Sequence, residues 1–175
     1  MSGNTYFVNG IPALCEALKK AGREKEAQAI VKQFLTSSFN QDLDRKVERL
    51  LKLPCGIFPV EMEYFRVFWE LNQIYIAGLY YITVVATGVL CERICYDILA
   101  ENKVKAKKGV GLSKLIKRLA KNNLAKAETL VEMEAIRKKR NEYVHPKKKI
   151  TNIEKDASEM IERISKVLHN EFAVP

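Results

Sequence analysis

The sequence predicts an all-α fold, most simply a four- or five-helix bundle preceded by a short N-terminal helical segment. Three observations lead there. No stretch alternates apolar and polar residues with the period of two that a half-buried strand needs, while apolar residues recur at helical spacing in one segment after another. Five prolines and eight glycines in 175 residues leave room for long uninterrupted helices. An apolar content of 47% suffices to build a core at this length.

The elements follow in order. "IPALCEALKKAG" (residues 11–22) closes on a glycine, "REKEAQAIVKQFLTS" (23–37) follows, and "QDLDRKVERLLKL" (41–53) is the third helix. The first two resemble one helical-repeat hairpin, but nothing recurs at a fixed period. "LPCGIFP" (53–59), with two prolines and a glycine, is the best boundary in the chain. It separates an N-terminal segment, 1–55, from a bundle over 60–175.

Beyond the boundary, a helix over 61–72 is expected to run into a long apolar helix ending near Asn102. "KVKAKKG" is a basic loop, and "GLSKLIKRLAKNNL" a short amphipathic helix with Ser113 as its candidate cap. "KAETLVEMEAIRKKRNEYV" is a helix ended by Pro146. The last helix, "TNIEKDASEMIERISKVLHNEF", starts from Thr151 or Asn152 and turns Ile153, Ala157, Met160, Ile161, Ile164 and Leu168 inward.

The stretch "IYIAGLYYITVVATGVL" (74–90) carries no charge. Its length is at the bottom of the range for a membrane span. It is rich in Tyr, Thr and Gly and continues with helical periodicity into "CERICYDILAEN", which reads as a helix buried on all sides of a bundle. The four cysteines, Cys15, Cys55, Cys91 and Cys95, are scattered, with no signal peptide ahead of them, and predict a reduced, cytoplasmic protein. Cys91 and Cys95 could supply half a metal site, but no second close pair completes it, so neither metal nor cofactor is expected.

The net charge of +9 is concentrated in the second half of the chain. Such a balance suits a polyanionic partner such as nucleic acid, through phosphate neutralisation and counterion release, although basic runs are also often solvated faces.

Within "IRKKRNEYVHPKKK" (136–149) one arginine is out of place. Advancing about 100° per residue from Ile136, Met133 falls near 60°, Tyr143 near 340°, Val144 near 80° and Arg140 near 40°. Arg140 thus lies inside the apolar stripe, while Lys138 and Lys139 point away. It either snorkels from the stripe's edge or meets a carboxylate. Glu92 is the candidate partner, because it shares a helix face with Tyr81, Val85, Gly88, Tyr96 and Leu99. Tyr143, in the same stripe, suits core packing better than base stacking. His145, one of two histidines, precedes Pro146. Proline disfavours helical geometry at the residue before it, so the backbone should leave the helix at His145 and free the imidazole.

Arg140-Asn141-Glu142-Tyr143-Val144-His145 reads R-N-x-x-x-H at a helix end in a basic α-bundle, after a long apolar helix and before a final amphipathic one. Over about residues 62–170 this resembles the HEPN superfamily (higher eukaryotes and prokaryotes nucleotide-binding), whose signature is an arginine, a polar residue, a few others and a histidine. The resemblance implies a metal-independent endoribonuclease acting as a homodimer, in which two R-x-x-x-x-H motifs converge on one cleft. Arg140 and His145 would then be the catalytic pair. Asn141 would orient phosphate or imidazole, with a plain surface role equally open. Lys138, Lys139, Lys147, Lys148 and Lys149 would neutralise RNA phosphates at the rim.

The resemblance also implies a toxin or defence role and a possible antitoxin or regulatory protein as partner. One subgroup of the family carries a modifiable tyrosine two residues after the histidine. Here that position is Lys147, so regulation of that kind is not expected. A non-catalytic HEPN-like dimeric interaction module, binding a partner protein or nucleic acid, is the alternative. A membrane-associated protein built around 74–90 is a third reading, and no membrane partner is expected.

Overall fold

The computed structural model describes residues 16–40, 42–54, 62–107, 109–147 and 149–172, and among these every regular element is a helix. The all-α expectation holds. The chain forms two compact units, Met1–Arg45 and Lys46–Pro175. The division lies ahead of the "LPCGIFP" stretch, of which residues 55–59 fall outside the described residues, as do Cys15 and Cys55.

In the first unit a helix through residues 16–20 ends at Gly22, whose φ of +74° is a conformation that glycine adopts without strain. The Gly22 amide donates to the Lys19 carbonyl (3.0 Å) and the Arg23 amide to that of Leu18 (2.8 Å), the paired bonds of a Schellman turn. Helix α1, Glu24–Asn40, follows with Glu24 and Glu26 in its first turn, where the helix dipole favours negative charge.

Helix α2, Leu43–Leu51, spans the division, and its Arg49 is buried in the second unit. That unit is built from α3 (Met62–Ile76), α4 (Tyr80–Glu101), α5 (Leu112–Lys121), α6 (Ala127–Val144) and α7 (Ile153–Phe172). Helix α4 is its axis and packs against α3, α5, α6 and α7, while α6 also meets α5 and α7. The core side chains, among them Ile94, Leu99, Leu119, Met133, Ile136 and Ile164, are essentially inaccessible to solvent. Thr83 and Thr87 are buried too, and each donates its hydroxyl to a carbonyl one turn back (3.1 and 2.8 Å), so neither leaves a polar orphan.

The uncharged stretch 74–90 departs from expectation twice. It is not one helix: α3 runs on to Ile76 and stops in a second Schellman turn at Gly78, whose φ is +78°. There the Gly78 amide bonds to the Tyr75 carbonyl (2.9 Å) and that of Leu79 to Ile74 (3.1 Å). Nor is α4 buried on all sides, since Tyr81, Ile82 and Val89 are about half exposed. No helix among the described residues is long and apolar enough to cross a membrane. Capping differs as well. Helix α5 starts at Leu112 after Gly111, leaving Ser113 one residue inside it, and no side chain caps the helix. Helix α7 begins directly after Asn152, whose carbonyl accepts the Asp156 amide (2.9 Å).

Candidate functional site

Helix α6 ends where the proline rule puts its end. Its last helical residue is Val144, and His145 leaves the helix at φ −129°, ψ 65° with its amide still bonded to the Asn141 carbonyl (2.9 Å). The imidazole is exposed and, among the described residues, makes no hydrogen bond. It opens onto a cleft of about 760 Å³ between the end of α6, the following loop and the start of α7. Lys138, Asn141, Lys147 and Lys149 line the same cleft. Lys148 lies outside the described residues.

Lys139 also reaches the cleft, but its charge is already engaged. Its ammonium contacts Asp156 (3.1 Å) and Glu142 (3.2 Å), which makes it a structural cation rather than a free phosphate contact. Partial burial alone would lower the Lys139 pKa, yet the bonds to the two carboxylates outweigh it and raise it. Asp156 takes a further bond from the Tyr143 hydroxyl (2.9 Å). Tyr143 is a core residue, 1% exposed, as its place in the stripe predicts. The group Lys139–Asp156–Tyr143 therefore ties α6 to α7 and forms one wall of the cleft.

Arg140 does not line this cleft. Its aliphatic stem lies across Gly88 of α4, so closely that a Cβ there would fall 2.5 Å from the Arg140 Cγ. The expected pair with Glu92 is not formed: among the described residues neither side chain has an ion-pair or hydrogen-bond partner. The reason is axial position. Glu92 has the right bearing on α4 but stands one turn beyond Gly88, which is where the helices approach closely enough to receive the arginine. The result is a partly buried arginine whose stem is held on Gly88 and which has no carboxylate partner among the described residues, and such a cation is suited to an anion from outside the chain.

Helices α4 and α3 also present an apolar surface. Tyr81, Ile82, Val85, Ala86, Val89 and Val67 line a shallow groove there, and Phe65 and Trp69 of α3 are also about half exposed. Tyr81 joins this surface to the end of α6, with its hydroxyl donating to the Tyr143 carbonyl (3.1 Å) and its ring 5.7 Å from that of Tyr143. The structure thus gathers His145, Asn141, Lys138, Lys147 and Lys149 around one cleft and leaves Arg140 and Glu92 on the α4 side. Gly88, Tyr81 and Asp156 are the site residues that sequence reasoning gave no role. No family model, curated protein or solved structure matches the chain.

The tyrosines make stability sensitive to alkaline pH. Burial raises the pKa of Tyr143, helped by Asp156, and that of Tyr64, helped by Asp97; burial pushes Tyr80 up to about 12. Unfolded tyrosines ionise near 10, so above that pH the unfolded state loses its protons first and the folded state is disfavoured. The stabilisation is complete below about pH 10 and, for Tyr80, is lost by about 12. Urea midpoints should be level from about pH 8 to 9.5 and fall steadily above 10, less steeply in Tyr143→Phe. Equal slopes in the two proteins would remove Tyr143 from this account.

Proposed function

We propose that this protein is an endoribonuclease of HEPN type that works as a homodimer, with Arg140 and His145 as its reactive pair and a toxin or defence role. The carrying observation is the Arg140 guanidinium, held by its stem on Gly88 and without a carboxylate, five residues from an imidazole that is free in a lysine-lined cleft. A structural arginine in an apolar stripe would be expected to have its charge answered within the fold.

The chemistry needs no group beyond these. A base removes the proton from a ribose 2′-OH as its oxygen attacks the adjacent phosphorus. The P–O5′ bond then breaks, and an acid protonates the leaving 5′-oxygen. The products are a 2′,3′-cyclic phosphate and a 5′-hydroxyl. Histidine can serve as either acid or base, and arginine's fork suits the charge that grows on the pentacoordinate phosphorus. One chain supplies one such histidine. A two-fold dimer through the Tyr81–Ile82–Val89 face, which Tyr81 joins to the end of α6, would bring two motifs together. Asn141, Lys138, Lys147 and Lys149 would then hold the RNA backbone near the imidazole.

A non-catalytic dimeric module is favoured by a different observation, namely that Arg140 and His145 do not line a common cleft within one chain. Purified protein incubated with total RNA in EDTA at low salt separates the two. Cutting that survives chelation, yields 2′,3′-cyclic phosphate ends and vanishes in His145→Ala is the expected result. Equal cutting by both proteins would reject His145 as the site, and none by either would favour the module.

A further inference from the structure

Between Asn102 and Ala127 the chain carries nine lysines and arginines and no aspartate or glutamate. The whole chain has 30 basic and 21 acidic residues, so outside this stretch the two signs balance at 21 each. The entire net charge of +9 thus resides in 26 residues.

Among the described residues, the fold brings several of these charges together. Along α5, Lys114 pairs with Lys117 and Arg118, and both of these with Lys121, at three- and four-residue spacing, a row of cations with Cβ atoms about 5–6 Å apart. The loop before α5 is fastened to this row. Arg118 donates to the Lys105 carbonyl (2.8 Å), and the Tyr96 hydroxyl of α4 meets the Val110 amide (3.1 Å) and the Lys107 carbonyl (3.2 Å). Lys105 and Lys107 are therefore presented from an anchored loop.

None of the lysines at 103, 105, 107, 114, 117 and 121 has a carboxylate partner among the described residues. Elsewhere cations are interleaved with acids, as in Lys20–Glu16 (2.9 Å), Arg66–Glu70 (3.2 Å), Arg93–Glu63 (2.7 Å) and Lys166–Glu162 (2.7 Å). Like charges at these spacings weaken a helix, so the row works against α5 and calls for an external counter-charge.

The row also leads toward the cleft. Helix α5, which carries the row, packs against α6, which carries Lys138. Lys138 in turn lines the His145 cleft.

We propose that α5 and the 103–107 loop form a track for an RNA sugar-phosphate backbone, continuous through Lys138 with the His145 cleft. An anionic membrane is the less suitable partner. The apolar residues of α5, Leu112, Leu115, Ile116 and Leu119, are all buried in the bundle, so the exposed face has nothing to insert among acyl chains. The choice of RNA rests on the reading of the cleft given above; the track itself does not require cleavage.

The test uses the full chain carrying His145→Ala, so that the probe stays intact, and reads anisotropy of a fluorescein-labelled oligouridylate of about 15 nucleotides. Adding Lys114→Glu, Lys117→Glu and Lys121→Glu should weaken binding at least about tenfold at low salt. It should also make the slope of log K against log salt shallower by about 2, from roughly 0.7 per phosphate contact. The corresponding triple glutamine variant should show a smaller loss, and it provides the readout if circular dichroism shows the glutamate variant misfolded. Unchanged affinity and slope in the folded variant would overturn the track. So would binding to phosphatidylserine vesicles, lost in the variant, with no binding of RNA. A track lost in the triple variant, alongside undiminished RNA cutting by His145→Ala, would keep the track and reject the nuclease site.

Discussion

Gly88→Leu should destabilise the protein by about 3 kcal/mol and remove whatever activity Arg140 supports. Even a bare Cβ at position 88 would lie 2.5 Å from the Arg140 Cγ, 3.0 Å from its Cβ and 3.3 Å from its Cδ. The Arg140 Cβ is fixed to its backbone and cannot swing aside, so either α4 and α6 separate or the arginine leaves its rotamer. Overpacking of this kind costs about 1–3 kcal/mol, and a leucine at so close a contact belongs at the upper end. The gain in helix propensity over glycine, at most about 1 kcal/mol, offsets only part of it.

A second substitution makes the origin of the loss visible. Arg140→Ala clears the Cγ and Cδ atoms but keeps the Cβ, so Gly88→Leu/Arg140→Ala should recover part of the stability lost in Gly88→Leu alone, though not the activity. Urea midpoints of the four proteins close a double-mutant cycle. A coupling near zero would mean that the glycine does not hold the arginine. Arg140→Ala alone should leave Glu92 undisturbed, since no contact joins them.

This contact also marks how far the sequence could be read. Helix type, the end of α6 at Val144 and the inward face of α7 follow from apolar period and proline chemistry, which are local. The bearing of Arg140 is equally local, and it correctly places the side chain against α4. Which α4 residue receives it depends on how far one helix is shifted along the other, and a helical projection discards that coordinate. Glu92 and Gly88 share one face, so complementary charge pointed to the carboxylate while close approach selected the glycine. The division of 74–90 at Gly78 was hidden for a related reason. An uncharged run offers no polar boundary, and the glycine's positive φ is apparent only once α3 and α4 have turned on each other. Lys139 looked like its neighbours in a basic run. Besides Glu142 on its own helix, it meets a carboxylate on another helix, Asp156, 17 residues away and beyond any local pattern.

That carboxylate is the subject of the second large effect. Asp156→Ala should destabilise the protein by about 2–4 kcal/mol and disorganise the cleft wall opposite His145. The Asp156 side chain, 18% exposed, accepts the Tyr143 hydroxyl and the Lys139 ammonium together. Truncation strands the hydroxyl of a tyrosine that is 1% exposed, which costs about 1–3 kcal/mol. It leaves Lys139, 28% exposed, with only Glu142. It also removes a negative charge from the first turn of α7, where the dipole makes it worth a further 0.3–1 kcal/mol or so. Asp156→Asn keeps an acceptor for the tyrosine and should lose only about half as much. Adding Tyr143→Phe to Asp156→Ala deletes the stranded hydroxyl, so the pair should be less destabilised than the sum of the two single changes. If urea midpoints add instead, the tyrosine and the aspartate act independently, and the wall owes its order to Lys139 alone.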